Sequence, residues 1–532
     1  MRDPLNDSTG PDSHWTTANI GEAMPDVLTP LSWSLWGPTT ERTNRETFRA
    51  TGAFTEAELP YPVPDPPDDR INKIFYGRAA VRVDALGALG DRMPGTSGRQ
   101  VVAGVLGSIP DGMEFSKTRR RYAHVAASLT YQNVTITKRL YAAATATTPW
   151  WQQRVSEIAR WDSPEQCAAV FAEASNRFYD NVLLQTLALL CAVQPMYDAV
   201  TQLAARAGLP DPMGLTSGYS GVPETAVITD IWRCSRGDLP IEAIVARFGH
   251  HGPREGELSG VVWREDQTPL RRMVDQYKAR PDDEDPARQA IGASRHELEN
   301  RVLQGLPRIT RPVARGILAR AARTIPLRGV AKDAFLQAFD VARAAARRAG
   351  ELYAADGTFD DPDDVFFLTA GELTGQLPPD TRAVIDFRRQ CHNEHQLRKL
   401  PRSWTGTPIP IEIQSAETAR QTSGIGVSPG EVEGVARVVT DPAFTDVEPG
   451  EILVSATTDP SWASIMFLSS ALVVDIGGHL SHAAVVAREL GIPCVVNTMN
   501  GSEVIKTGDR LRVNGTTGFV TVLSSDDIDQ ES

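Results

Sequence analysis

The sequence predicts a multidomain protein, a mainly α-helical domain followed by a small α/β domain. At 532 residues the chain has the length for two or three domains with large cores. From about Trp150 to Arg402 the pattern is mainly helical, with long Ala-, Leu- and Arg-rich runs. After Gly424 the texture changes to short apolar runs set between glycine turns, as expected of strands alternating with short helices.

In chain order, Met1 to Ser13 is polar and has no apolar core, so no secretory signal is read there. Residues 1–17 are expected to form a disordered tail, 18–405 the helical domain, 406–423 a linker, 424–525 the α/β domain and 526–532 a second tail. Thr29-Pro30 opens a helix that Trp33 anchors, because proline suits the first helical position. Pro60 to Pro67, with five prolines, is a surface loop. Ala168 to Ala207 reads as helix; its most apolar window, Val182 to Val193, spans twelve residues. A membrane span needs about twenty, so that window is expected to be a buried helix.

Arg301 to Arg348 carries ten arginines and Lys332 in an otherwise acidic chain. Arg343, Arg347 and Arg348 are expected on a solvated helix face. Arg328 and Lys332 stand i, i+4 apart, which puts both cations on one side of a turn. Asp333 to Asp356 continues as helix to Gly357, and Asp361-Pro-Asp-Asp reads as a helix-to-strand turn leading Phe366 to Leu368 into the core. Pro408 to Ile413 is extended. Gln414 to Ser423 is polar and featureless, the hinge candidate, and ten extended residues reach about 33–36 Å. The strands of the last domain are expected at Gly434–Val439, Ile452–Ser455, Ala471–Ile476, Cys494–Asn497, Arg510–Val513 and Phe519–Leu523.

The balance of 54 basic against 67 acidic side chains leaves a formal charge of −13, which argues against a nucleic-acid partner. Five scattered cysteines without a CxxC pair read as reduced, mostly buried thiols of a cytoplasmic protein. No membrane association is expected.

One stretch carries chemistry: Asp475-Ile-Gly-Gly-His-Leu-Ser-His482, continuing to Pro493. A buried strand runs into Gly477-Gly478, where the backbone can turn sharply. Ser481 is an N-cap that places His482 in the first turn of a helix. Ala483, Val486, Ala487 and Leu490 form one apolar face; Gly491 stops the helix and Pro493 forbids its return. A helix N-terminus stabilises an anion, by about 0.3–1 kcal/mol when exposed. A histidine there is suited to carrying a phosphoryl group, although a capping or core histidine fits the position equally.

Gly477-Gly-His-Leu-Ser-His482-Ala-Ala, with Ala487-Arg-Glu and Gly491-Ile-Pro, resembles the phosphohistidine signature of the swivelling domain. That β/β/α domain is shared by pyruvate phosphate dikinase, phosphoenolpyruvate synthase and rifampicin phosphotransferase. The resemblance covers roughly Gly424 to Leu523 and implies His482 as phosphoryl carrier, Gly477, Gly478 and Ser481 as its loop, and His479 as accessory. Asn19-x-Gly-Glu22-x-x-Pro and Thr29-Pro-Leu-Ser-Trp-Ser resemble the entry to the rifampicin phosphotransferase substrate domain, which implies substrate binding by Glu22. Gly249-His250-His251-Gly-Pro-Arg254-Glu255 is similar to a Gly-His-Arg-Gly-Pro-Gly-Glu loop of that family; His251 replaces its Arg and Arg254 its third Gly. His250 and His251 are the substrate-binding candidates there. Arg328-Gly-Val-Ala-Lys332 is similar to an Arg-Glu-x-x-Lys element lining the acceptor site, with Gly329 in place of the Glu.

Nothing read in the sequence resembles the ATP-grasp region that phosphorylates the histidine in these dikinases. The resemblance therefore implies a separate ATP-grasp partner that uses ATP and Mg²⁺, in the family releasing AMP and phosphate. His482 would pass the phosphoryl to a small-molecule hydroxyl in the helical domain, and no metal is expected on this chain. Two alternatives stand beside it: a dehydratase that phosphorylates a hydroxyl and eliminates phosphate, and a non-catalytic binding or regulatory protein retaining the histidine.

Overall fold

A computed structural model describes the chain except residues 18–19, 21–22, 25–26, 64–68, 107–108, 111, 210–214, 216–222, 283–284, 286–290, 412–420, 441–446, 459–461, 479–480 and 524–532. Its contacts divide the chain into two compact units, each assembled from three segments. One comprises Met1–Ala192, Gly256–Gly260 and Val330–Ile413; the other comprises Val193–Glu255, Val261–Gly329 and Gln414–Ser532. These boundaries differ from a helical domain running unbroken from 18 to 405.

The first unit is built on long helices: Pro30–Ala50, Tyr122–Ser156, Pro164–Ala188 and Leu327–Ala355, the last beginning just before the boundary. Thr29 caps the first as expected, its hydroxyl accepting from Ser32 N at 3.4 Å. The aromatic anchor is Trp36 more than Trp33: Trp36 meets Phe178 edge-on at 4.7 Å and lies 5.5 Å from Phe339. Cys167, Phe171, Ala174 and Phe178 of the Pro164–Ala188 helix lie in the same core. Among the described residues one helical run, Pro164–Arg206, is long and apolar enough by length and composition to cross a membrane.

Residues 1–17 are ordered, against expectation. β1 (His14–Thr16) pairs antiparallel with β3 (Arg78–Arg82) and with β4 (Ser403–Thr405), and β3 pairs with β2 (Asn72–Phe75), in the order β2-β3-β1-β4. Leu5 and Trp15 are fully buried, and Gly77 N donates to Leu5 O at 2.8 Å. The composition of the tail is polar, but those two side chains fill a core whose other walls come from distant sequence. Asp361 opens a 3₁₀ helix, Pro362–Phe367, through a capping box with Asp364, and a short helix, Ala370–Thr374, follows. Phe366 and Leu368 are buried as expected, but no strand follows. Arg343 is a second correction: it is 1 % exposed and pairs with Asp340 at 3.1 Å instead of facing solvent.

The second unit holds helices Gln194–Arg206, Pro223–Ser235, Ile241–Phe248, Thr268–Lys278 and Arg311–Thr324 together with an eight-stranded sheet. Its strands are β5 (Gln421–Ser423), β6 (Ile425–Ser428), β7 (Glu431–Val438), β8 (Ile452–Ser455), β9 (Ala471–Val474), β10 (Cys494–Val496), β11 (Arg510–Asn514) and β12 (Phe519–Val522). Their order is β5-β12-β11-β7-β8-β9-β10-β6, with β7, β8, β9 and β10 mutually parallel in the middle. Six of these strands fall where the sequence places them. Gln421–Ser423, read as featureless hinge, pairs with β12; residues 412–420 lie outside the described residues.

Alternation along the central strands builds two cores. Leu453, Leu472, Val474 and Val496 face the helices, whereas Ile452, Val454, Val473 and Val495 pack with Leu511, Val513 and Val520. The result is the β/β/α arrangement expected of the last domain. The helical side draws in the preceding helices, since Trp232, Tyr277 and Phe467 lie in one cluster with the rings of Tyr277 and Phe467 5.1 Å apart. That shared apolar surface is why residues 193–255 and 261–329 group with the C-terminal sheet.

Candidate active site

Ligands of parallel sheets sit beyond the carboxyl ends of the strands. Here β8 ends into Thr457-Thr458, β9 into Asp475–Ser481 and β10 into Asn497–Met499. The helix His482–Leu490 connects β9 to β10, and His482 is its first residue. Ser481 caps it, accepting from Ala484 N at 3.2 Å, and Gly491 ends it in the left-handed conformation at φ 67°. The turn before it is tight: Ser481 N donates to Gly478 O at 3.0 Å. A Cβ on Gly477 would come within 3.1 Å of both Ser481 Oγ and Val496 Cβ, so glycine lets the turn close.

The His482 ring is 2 % exposed, and its Nδ1 lies 3.3 Å from Thr458 Oγ1. The threonine hydroxyl can donate to or accept from that nitrogen, according to the tautomer of the ring. Asp475 braces the same loop from below. Its carboxylate accepts from Thr498 Oγ1 at 2.8 Å, from Ser502 N at 3.1 Å and from the Ser502 hydroxyl, joining the ends of β9 and β10. Burial pushes the Asp475 carboxyl above the ordinary range against the lowering effect of the Ser502 and Thr498 hydrogen bonds. A Cβ on Gly501 would meet Thr498 Oγ1 at 2.6 Å, so this brace too depends on a glycine.

Arg488, two turns along the helix, is buried, with its guanidinium 3.4 Å from Val427 O. Burial lowers its pKa first of all; Tyr197 opposes this, and the like charge of Arg328 adds to the lowering. Arg328 therefore stands within electrostatic reach of the histidine helix. Both Arg328 and Lys332 are half-buried, one turn apart at the start of Leu327–Ala355.

His250 and His251 are buried and lie with ring centroids 4.2 Å apart. Glu255 holds His251 Nδ1 at 2.9 Å, and Trp263 meets the His251 ring edge-on at 6.0 Å. Glu22 and His479 lie outside the described residues. Sequence reasoning gave Thr458 no part and missed the Asp475–Thr498–Ser502 brace and the Glu255 contact. The strand-end rule was the signal available for Thr458, since Thr457-Thr458 follows, one residue on, a strand legible in the sequence.

Comparison with known families matches residues 447–518 to the mobile domain of PEP-utilising enzymes and residues 239–329 to the fourth domain of rifampicin phosphotransferase. The chain thus combines a region similar to the mobile domain of PEP-utilising enzymes with a region similar to the fourth domain of rifampicin phosphotransferase. Among its relatives, rifampicin phosphotransferase of a Streptomyces species is 34% identical over 250 residues, 45% of this chain and 28% of that protein. The prodigiosin synthesizing transferase PigC of Serratia marcescens is 30% identical over 314 residues, 53% of this chain and 33% of that protein. An uncharacterized protein of Mycobacterium bovis is 32% identical over 285 residues, 53% of this chain and 31% of that protein. The chain spans about a third or less of the length of these relatives.

Proposed function

We propose that this chain is a phosphotransferase of the rifampicin phosphotransferase type, acting through a phosphohistidine. The observation that carries the reading is His482 itself, the first residue of a capped helix beyond parallel strands, in the region similar to the PEP-utilising mobile domain. In the first half-reaction ATP gives AMP, phosphate and a phosphoryl group on His482: two P–O bonds break, one phosphoryl group forms an N–P bond on the ring as a ring proton leaves to solvent, and the other passes to water. In the second the N–P bond breaks, an O–P bond forms on a small-molecule hydroxyl, and the hydroxyl proton leaves to solvent or a base. ATP and Mg²⁺ enter through an ATP-grasp partner, and the reaction is cytoplasmic.

The surrounding residues take separate parts. Gly477, Gly478 and Ser481 shape the loop, Thr458 orients the ring, and Arg328 and Lys332 offset the charge of the transferred group by bidentate donation and point charge. Glu22, His250 and His251 bind the acceptor. The test is labelling with an ATP-grasp partner and γ- or β-labelled ATP. The wild-type protein is expected to take up acid-labile, base-stable phosphate; equal labelling of His482→Ala would remove the histidine from the mechanism.

A further inference from the structure

The loop from Gly249 to Glu255 holds a backbone outlier. Arg254 sits at φ 57°, in the left-handed region that glycine enters freely and a residue with a Cβ does not. This is the position at which the resembling family loop has glycine, so the geometry is the glycine geometry occupied by an arginine. Its side chain is half-buried, its Nε is buried without a partner, and it makes no ion pair or hydrogen bond among the described residues.

A second donor in the same neighbourhood is in the same condition. Trp263 is 1 % exposed, its backbone N donates to His251 O at 2.8 Å, and its indole Nε1 is buried with no acceptor among the described residues. Buried donors are ordinarily satisfied, and each exception calls for a cause. The loop is also rigid where it needs to be: Glu255 holds His251 at 2.9 Å, and Gly249 N and Arg264 N close hydrogen-bonded turns on Val245 O and Gly249 O. Two unmet donors, one a guanidinium, are complemented by an oxygen-rich anion. A guanidinium presents its N–H groups in the planar fork that carboxylate and phosphate match.

We infer that Arg254 and Trp263 form an oxoanion-recognition site, so that the acceptor bears a carboxylate or phosphate besides the hydroxyl that is phosphorylated. The inference rests on the reading of this region as acceptor-binding. The strained backbone then has a cause, because the arginine is held in an unfavourable conformation by what its guanidinium recognises.

The test is calorimetric titration of inorganic phosphate and of acetate into the His482→Ala protein, so that the His482 ring contributes nothing and any binding at the helix start is common to all variants. At least one anion is expected to bind, phosphate alone pointing to a phosphorylated acceptor and acetate alone to a carboxylated one. Arg254→Gln should weaken that binding by about 10- to 150-fold, and Trp263→Phe by about 2- to 10-fold. Arg254→Gly should weaken it as Gln does while raising the lowest thermal transition by about 1–3 °C, because the strain is relieved. Binding unchanged in Arg254→Gln, no binding of either anion, or a lowered transition in Arg254→Gly would each overturn the site. Labelling of His482 in the wild-type protein is a separate readout: its failure would remove the phosphoryl-carrier reading and leave the anion titration standing.

Discussion

Thr458 touches the His482 ring at one nitrogen, Nδ1, at 3.3 Å. Thr458→Val keeps the shape and removes the hydroxyl that meets Nδ1. Labelling of His482 is expected to slow by about 2- to 10-fold, as for one neutral hydrogen bond, in rapid-quench measurements. Asp475 gives a pH signature instead. Its folded pKa is raised by burial, so the folded state holds the proton more tightly than the unfolded chain. The stability it contributes is fully present below the ordinary carboxylate value and is lost as pH rises through the raised one. Wild-type stability minus that of Asp475→Asn should therefore fall as pH rises from about 4 toward neutrality in urea titrations. A difference that grows over that range would mean the carboxylate is stabilised, not strained, by its brace.

The histidine helix is nine residues long and depends on its ends. Ser481→Ala removes the cap and should cost about 1 kcal/mol in denaturant unfolding; Gly491→Ala should cost about 1–2 kcal/mol because φ there is positive. The helix Leu327–Ala355 presents a different problem. Its stripe of charged and polar residues was legible, but periodicity treats an arginine as a solvent residue. Arg343 instead lies 3.1 Å from Asp340, whose other oxygen accepts from Trp151 Nε1 at 2.8 Å. Arg343→Met would leave the Asp340 carboxylate buried beside an apolar side chain, at a cost of about 3–5 kcal/mol. Replacing both members, Asp340→Leu with Arg343→Met, should recover much of that loss, and a double-mutant cycle reads the difference.

At the scale of the whole chain, the acidic balance of −13 makes the basic turn at Arg328 and Lys332 stand out. If both serve the group in transfer, removing either should lower turnover more than acceptor affinity. Arg328→Ala and Lys332→Ala are each expected to slow single-turnover transfer from phosphorylated His482 by about 10- to 150-fold, with Arg328→Lys not rescuing. Wild-type rates in both would return the pair to ordinary surface charge. In the second unit, Phe467 packs on Tyr277, and Arg280 Nη1 donates to Phe467 O at 2.9 Å. Phe467→Ala should cost about 3–5 kcal/mol and destabilise the helices 223–278 together with the sheet, which hydrogen exchange resolved by segment would detect.

What the sequence by itself determined is local. Ser481, the apolar face from Ala483 to Ala487 and Gly491 specify the histidine helix within eleven residues, and short apolar runs set between turns place β7 through β12. These signals survive because capping, turning and strand-length apolar runs are settled between near neighbours. The tertiary structure alone decided which segments share a core. Residues 193–255 and 261–329 join the C-terminal sheet through Trp232, Tyr277 and Phe467, and Leu5 and Trp15 order a polar tail. It alone brought Thr458 to His482 and Asp475 to Ser502, and it alone showed that Arg254 occupies a glycine conformation. Each of these depends on a partner 24 or more residues away or on a backbone angle, and neither is encoded in the period or composition of a short window.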